Sequence, residues 1–272
     1  MAYTTVDDSS AHFQAVIYTG NGSDDLAITF SGNSDLQPDL LWFKSRDGTQ
    51  GHELFDSTRG VAESLRPHNN DVANIDSPND RLMSFDSDGF ELDDDGNPNT
   101  NTNTYVAWGW KCNGGTATAT VAESGDNPAN VRQTNTTTGL SIITYTGTGG
   151  TGTIAHGLGV APSMIWNRVR NDNGDTQWFI YHKGLASDAE TDFIHFDQSS
   201  ARQDAAVWND TAPTSSVYSL GSSTQSNDND STFVSYVWAD VQGFSKFGKY
   251  KGNGDADGPF VYTGFKPAFL LI

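Results

Sequence analysis

The chain has 272 residues, of which 35% are hydrophobic and 11% aromatic, and this is enough apolar surface for a packed core. Its 34 acidic residues outnumber its 15 Lys and Arg residues, and the resulting net charge of −19 would repel nucleic acids and anionic membranes. The single cysteine, Cys112, excludes an intrachain disulfide. The N-terminus lacks the features of a cleaved signal peptide, and no apolar run is long enough to span a membrane. We therefore expect a protein made in the cytoplasm, with no nucleic-acid partner and no membrane insertion.

Short apolar runs rich in Val, Ile, Tyr, Phe and Trp recur along the chain and predict β-strands. In chain order they are FQAVIY (13–18), DLLWFK (39–44), YVAWGW (105–110), SIITYT (141–146), SMIWNR (163–168), WFIYH (178–182) and FVSYVW (233–238). Gly, Asn, Asp, Ser and Thr separate such runs at intervals of about 8 to 12 residues, which is typical of an antiparallel all-β protein. Only GVAESLR (60–66) has the composition of a short helical turn.

One glycine-rich run raises the question of nucleotide binding. Gly147, Gly149 and Gly152 have the spacing G-x-G-x-x-G directly after a predicted strand. A dinucleotide-binding turn also requires a following helix whose N-terminus faces the phosphate. The residues that follow include two further glycines and Pro162, which interrupt any helix. The run therefore predicts a glycine-rich turn at the end of a strand.

The chain contains an internal repeat. Tyr18, Tyr145 and Tyr250 are each followed by x-Gly-x-Gly, and each copy continues to an apolar run that begins with proline: PDLLW (38–42), PSMIW (162–166) and PAFLL (267–271). The first two copies also share a last strand, YVAWGW in one and FVSYVW in the other. This periodicity predicts tandem units of roughly 100 residues.

The repeat divides the chain into five parts. We predict an N-terminal arm at 1–11, a first unit at 12–112, a polar linker with one strand at 113–138, a second unit at 139–241, and the start of a third, incomplete unit at 242–272. The third copy ends within an apolar run, which would leave an unpaired edge. We therefore expect either that the chain continues beyond Ile272 or that another element pairs with this end.

The repeated strings resemble a known family. SIITYTGTGGTGTIAHGLGVAPSMIWNRVR (141–170), WFIYH (178–182) and GFSKFGKYKGNGDADGPFVYTGFKPAFLLI (243–272) resemble the repeated β-rich units of tail-fibre and other virion proteins of tailed bacteriophages, in particular phages of marine bacteria and cyanobacteria. The resemblance covers nearly the whole chain. It implies lectin-like or jelly-roll β-sandwiches in a virion. It also implies a homo-oligomer, with a trimer favoured, whose partners are other virion proteins and a glycan or protein of the host cell surface.

This resemblance predicts a non-enzymatic virion structural protein, a tail fibre or appendage that presents its units for attachment to the host surface. The alternatives are a capsid-decorating or head-fibre protein and, third, a polysaccharide-degrading tailspike enzyme. None of the six histidines lies in an H-E-x-x-H motif or near a G-x-S-x-G motif. Because acidic residues are so abundant, a glycosidase-like pair of carboxylates is available by chance and is not informative. We therefore predict no enzymatic activity.

The candidate metal-binding residues lie in one acidic stretch, DSDGFELDDDGNPN (86–99). Asp86, Asp88, Asp93 and Asp95 offer hard oxygen ligands for calcium, the only cofactor that the sequence suggests. The spacing is not that of an EF-hand, and turn-forming Asp and Asn explain the stretch without an ion.

The candidate ligand-binding residues are two tryptophans. Trp178 and Trp208 lie near variable loops of the second unit, and exposed aromatic rings there would stack on a sugar. Trp42 and Trp166 occupy equivalent positions after the repeat proline, so we expect them in the core of each unit. Trp108 and Trp238 lie in the shared last strand and are expected to do the same.

Overall fold

A computed structural model describes residues 3–71, 73–75, 81–94, 96–171 and 176–272, and residues 74 and 75 are described by their backbone alone. The strands of the first unit are β1 (Phe13–Thr19), β2 (Leu26–Thr29), β3 (Leu40–Ser45), β4 (His52–Asp56), β5 (Gly60–Leu65), β6 (Asn74–Ile75), β7 (Leu82–Asp86), β8 (Gly89–Leu92) and β9 (Thr104–Trp110). The remaining strands are β10 (Ala119–Val121), β11 (Asn130–Asn135), β12 (Leu140–Thr146), β13 (Gly152–Ala155), β14 (Met164–Val169), β15 (Trp178–His182), β16 (Asp192–Phe193), β17 (Gln203–Asp204), β18 (Val217–Leu220) and β19 (Thr232–Trp238).

Helical structure is limited, among the described residues, to one irregular turn and three short 3-10 turns. The irregular turn is α1 (Gly96–Asn99), and the 3-10 turns are Ser9–Ala11, Ala189–Thr191 and Ala206–Trp208. The predicted all-β class is therefore confirmed. The expected helical turn at 60–66 was wrong, because residues 60–65 form β5, which pairs with β4.

Among the described residues every strand pair is antiparallel, and two large sheets contain most of the strands. The first large sheet has the order β1-β9-β3-β4-β5-β6, and the second has the order β10-β11-β12-β19-β14-β15. A small sheet, β2-β8-β7, accompanies the first, and the pair β13-β18 accompanies the second. The repeat relates the three strands β1-β9-β3 of the first unit to β12-β19-β14 of the second. In each set the last strand of the unit, β9 or β19, lies between the other two.

Three apolar cores separate these sheets into layers. One core lies between the first large sheet and β2-β8-β7, and a second lies between the second large sheet and β13-β18. The third, which we call the inter-unit core, lies between the two large sheets and takes side chains from both units. Side chains alternate between faces along a strand, so Leu40 and Trp42 point into the inter-unit core while Leu41 and Phe43 point into the core of the first unit. Both faces of the central strands are therefore buried.

Tryptophans from equivalent repeat positions meet in the inter-unit core. The rings of Trp42 and Trp166 pack edge to face at 5.9 Å, and those of Trp110 and Trp238 do so at the same distance. Phe269, from the C-terminal segment, packs against Trp110 at 5.1 Å. The tryptophans expected in the core of each separate unit thus join the two units to one another.

A buried polar cluster also crosses this interface. The Tyr236 hydroxyl of the second unit donates a hydrogen bond of 2.6 Å to Asp56 Oδ2 of the first. Arg59 donates from Nε to the same oxygen at 2.5 Å and from Nη2 to the Tyr236 oxygen at 3.2 Å. All three side chains are buried, and burial raises the pKa of Tyr236 well above its ordinary value, so its proton stays in place.

The segment 113–138 carries two strands, where the sequence indicated a linker with one. β11 pairs with β12 over its whole length, and β10 pairs with β11 at the edge of the second large sheet. Gln133 of β11 also donates hydrogen bonds to Ser57 Oγ at 2.9 Å and to Thr58 Oγ1 at 2.8 Å in the first unit. The segment is therefore part of the second large sheet and contacts both units.

The C-terminal residues 246–272 contain no strand. Tyr250 is 52% exposed, although its counterparts Tyr18 and Tyr145 are buried. The segment contacts the inter-unit core through Phe247 and Phe269. Within the described part of the chain, no helix is long and apolar enough to cross a membrane.

We predict that Trp166→Ala lowers the free energy of unfolding by about 3–5 kcal/mol, because it leaves a cavity where the two large sheets meet. Trp166→Phe is the matched control, and it should cost less, since the ring contact remains and the buried Nε1 of Trp166 has no partner among the described residues. Urea unfolding measured by circular dichroism gives both values. A loss below about 1 kcal/mol for the alanine variant would contradict a core shared by the units.

Candidate functional site

The loop that follows β1 is held in place by one buried side chain. Asn99, which is inaccessible to solvent, accepts a hydrogen bond of 2.8 Å from the backbone N–H of Asn21 and donates one of 2.9 Å to the carbonyl of Ser23. A side chain at Gly20 would collide with the backbone at Asn99 and Thr100. The repeated x-Gly-x-Gly therefore allows the loop to lie close around this asparagine.

The second unit repeats this arrangement at Asn227, which is also inaccessible to solvent. Its Oδ1 accepts a hydrogen bond of 3.1 Å from the backbone N–H of Thr148, and its Nδ2 donates one of 2.7 Å to the carbonyl of Gly150. Gly149 has a φ of +80°, which glycine adopts without strain. The backbone N–H groups of Gly147, Thr148 and Gly149 already donate hydrogen bonds to Ser231 and Asn227, and no helix follows the loop. The glycine run is a structural turn, as its sequence context predicted.

An acidic group lies beside the loop of the first unit. Leu26 of β2 pairs with Leu92 of β8, so the residues just outside these strands meet. Asp24, Asp93 and Asp94 each place one carboxylate oxygen within 4.8 Å of the others. Asn99 fixes this arrangement, because its Nδ2 also donates a hydrogen bond of 2.8 Å to the carbonyl of Asp93.

Like charges crowd in this acidic group. A hydrogen bond with the Asp93 carboxyl group, together with the negative charges of Asp94 and Asp93, raises the pKa of Asp24. All three ligand atoms are hard oxygens at a loop surface, so the chemistry of the group suits a cation such as calcium. It is the strongest cation-binding candidate among the described residues.

The structure brings together only part of the predicted calcium set. Asp93 belongs to the acidic group, but Asp86 instead accepts a hydrogen bond of 2.6 Å from Ser84, and Asp88 accepts one of 3.1 Å from the backbone N–H of Leu36. Asp86 and Asp88 therefore lie outside this acidic group, and their role as calcium ligands stays a prediction. Asp95 lies outside the described residues. Asp24 was missed because its proximity to Asp93 depends on the pairing of β2 with β8.

The structure contradicts the prediction that Trp178 and Trp208 are exposed. Trp178 has no accessible surface; its indole N–H donates a hydrogen bond of 3.0 Å to the carbonyl of Arg66, and its ring lies 5.6 Å from the Arg168 guanidinium carbon. Trp208 is 1% exposed, and its N–H donates to the carbonyl of Asp192 at 3.2 Å. Both rings are core residues, because their faces pack and their polar atoms are satisfied inside the protein. Neither can stack on a ligand without unfolding its surroundings.

The two best-formed surface depressions are shallow, and few charged side chains line them. One, of about 180 Å³, lies beside the turn Ala206–Trp208 and is lined in part by Asn209, Ser222 and Gln225. The other, of about 270 Å³, lies along β11 and β12, with Arg170 as its charged residue. Arg170 is already paired with Glu63 at 2.6 Å. Neither depression is lined by a histidine or a carboxylate among the described residues.

Fold and loops together define an all-β protein with two units packed face to face and with rigid turns at its strand ends. The chain belongs to the family described as "Domain of unknown function (DUF7483)", whose profile matches residues 8–272. Comparison with curated proteins and with solved structures gives no match.

We predict that Asn227→Ala and Asn99→Ala each lower the free energy of unfolding by about 1–3 kcal/mol, because each leaves buried loop groups without hydrogen-bond partners. Asn229→Ala is the matched control, since Asn229 is an exposed residue of the same turn. Thermal and urea unfolding of the three variants provides the comparison. Equal stabilities would show that the loops do not depend on these side chains.

We predict that Asp24→Asn raises the melting temperature at pH 7 and low ionic strength, because it removes a charge from a repelling group. The sign follows from the raised pKa of Asp24: a carboxyl group that is hard to ionise stabilises the fold at low pH, and this stabilisation is lost as the pH rises through its raised pKa. The gain should therefore disappear below the ordinary value of 3.8 and in high salt. Asp7→Asn, which neutralises an exposed acid outside the group, is the control.

The wild-type chain and Asp24→Asn also test calcium binding. If calcium occupies the acidic group, added calcium will raise the melting temperature of the wild-type chain, a chelator will reverse the rise, and Asp24→Asn will abolish it. Identical melting curves with calcium and with chelator would end the calcium hypothesis.

Proposed function

We propose that this chain is a structural protein of a bacteriophage virion, a tail fibre or appendage that presents two β-sandwich units for attachment to the host cell surface. The inter-unit core is the observation that carries the proposal. Trp42 and Trp166, from equivalent positions of the two units, contact each other at 5.9 Å, and the polar cluster of Asp56, Arg59 and Tyr236 crosses the same interface. Two units joined in this way form one rigid body, as a fibre or appendage requires.

The surface of the described residues supports binding through loops more than catalysis. The two depressions described above have no histidine or carboxylate in their lining, whereas the loops at Gly20 and Gly147 are held by buried asparagines. Loops fixed in this way keep their shape, which limits the entropy lost when they contact a partner. Several copies on one particle would give avidity even where each contact is weak. The sequence resemblance to phage tail-fibre units also supports binding through loops.

The net charge of −19 is consistent with a virion surface role. An acidic protein stays soluble and avoids nonspecific contact with nucleic acid, which carries charge of the same sign. A surface of this charge binds through loops rather than through general electrostatic attraction to an anionic cell surface. We therefore propose a glycan or a protein of the host surface as the partner.

The proposal is tested on purified particles of the phage that encodes the chain. We predict that the chain is present in virions by mass spectrometry and that gold-labelled antibodies against it mark the tail. Label on the head shell would instead support a capsid-decorating protein. Absence of the chain from purified particles, with the chain present in the infected cells, would contradict a virion role.

The attachment step has its own test. The purified chain, displayed in many copies on beads, should bind host cells, and an excess of soluble chain should compete. Release of reducing sugar from host polysaccharide, lost when a specific carboxylate pair is replaced, would show the tailspike alternative instead. Beads that bind host and non-host cells equally would contradict specific attachment.

A further inference from the structure

The first large sheet has an open edge at β1. Among the described residues, β1 pairs only with β9. The backbone N–H of Lys111 donates to the carbonyl of His12, and that of Gly20 donates to the carbonyl of Asn103, so the even-numbered residues of β1 form the ladder with β9. Phe13, Ala15, Ile17 and Thr19 therefore direct their backbone N–H and C=O groups away from the sheet.

This edge lacks the features that usually prevent strands from pairing across molecules. FQAVIYT contains no charged residue and no proline, and its register with β9 continues without a bulge from Phe13 to Thr19. Ile17 is 62% exposed, and Ala15 beside it on the same face is also exposed. An uncharged strand with free backbone groups and an exposed isoleucine is suited to accept another strand.

The second unit shows what the covered form of this edge looks like. Its β12 is the counterpart of β1, and β11 pairs with it, so that Ile142 lies opposite Gln133 and Thr144 opposite Val131. Ile142, the counterpart of Ala15, is inaccessible to solvent. The same edge is therefore paired in one unit and unpaired in the other.

We propose that β1 pairs antiparallel with β1 of a second copy of this chain, across a twofold axis. This goes beyond the proposed function, does not depend on it, and replaces the trimer that the family resemblance favoured with a twofold dimer. The two first large sheets would join into one continuous sheet of twelve strands, six from each copy. A strand that pairs antiparallel with its own copy forms an isologous contact, in which the same residues serve both partners.

The sequence of β1 favours its own copy as the occupant. With Ile17 on the axis, Ile17 packs against Ile17 of the partner subunit, and Ala15 lies opposite Thr19 of the partner subunit. This register keeps residues that direct their backbone groups outward opposite one another and extends away from the 3-10 turn Ser9–Ala11. No charges oppose one another along the seam, although the whole chain carries −19. In this register only residues 15–19 of β1 face β1 of the partner subunit, which is a small interface, so we expect a dissociation constant on the order of micromolar, and tighter association at higher salt.

The test uses the intact 272-residue chain in sedimentation velocity over a concentration series. The wild-type chain should pass from a monomer of 29.3 kDa to a dimer as its concentration rises. Ile17→Lys, which places a charge at the axis, should weaken the dimer at least tenfold. Ala15→Pro removes an outward-directed N–H and leaves the ladder to β9 intact, so it should weaken the dimer without unfolding the sheet.

Val160→Lys is the matched control, because Val160 is 52% exposed in a loop of the second unit. The Val160→Lys chain should dimerise as the wild-type chain does. Circular dichroism should show that Ile17→Lys, Ala15→Pro and Val160→Lys are all folded. A wild-type chain that stays monomeric at a concentration about 100 times the expected dissociation constant would overturn the proposal, and so would one that forms trimers. A dimer that neither Ile17→Lys nor Ala15→Pro weakens would also overturn it, since its interface would lie elsewhere.

Discussion

The packing of one large sheet face to face against the other is the interaction on which both units depend. A β-strand can be apolar along its whole length only if both of its faces are covered. This condition holds in β3, where Leu40, Leu41, Trp42 and Phe43 are all buried, and neither unit could supply it alone. If the units separated, each would expose a sheet face rich in tryptophan. We therefore expect the two units to fold together and not as independent domains.

Polar contacts give this apolar interface a defined orientation. Any shift of one sheet face over the other would separate the Tyr236 hydroxyl from Asp56, and Arg59 from one or both of them. A buried charge that loses its partner is expensive, so a displaced packing would be destabilised by several kcal/mol. We infer that the cluster contributes more to the unique alignment of the units than to the total stability.

Local sequence patterns predicted the strands. The burial and the partners of individual side chains depend on long-range contacts, which such patterns do not reveal. The runs around Tyr18 and Tyr145 form β1 and β12 because alternation and turn residues are local properties. The burial of Trp178 could not be predicted in this way, since one of its partners is the Arg66 carbonyl in the other unit. Asn99 escaped notice for the same reason, because its importance lies in backbone groups some 78 positions away. Asp24 joins Asp93 only through the pairing of β2 with β8.

The distribution of the aromatic rings has an optical consequence. The inter-unit core contains Trp42, Trp110, Trp166, Trp178 and Trp238, and Trp108 packs against it, whereas Trp208 alone lies in the core of the second unit. Intrinsic tryptophan emission and near-ultraviolet dichroism will therefore report chiefly on the junction between the units and hardly at all on their separate interiors. The chain carries its own spectroscopic probe of whether its two halves are joined.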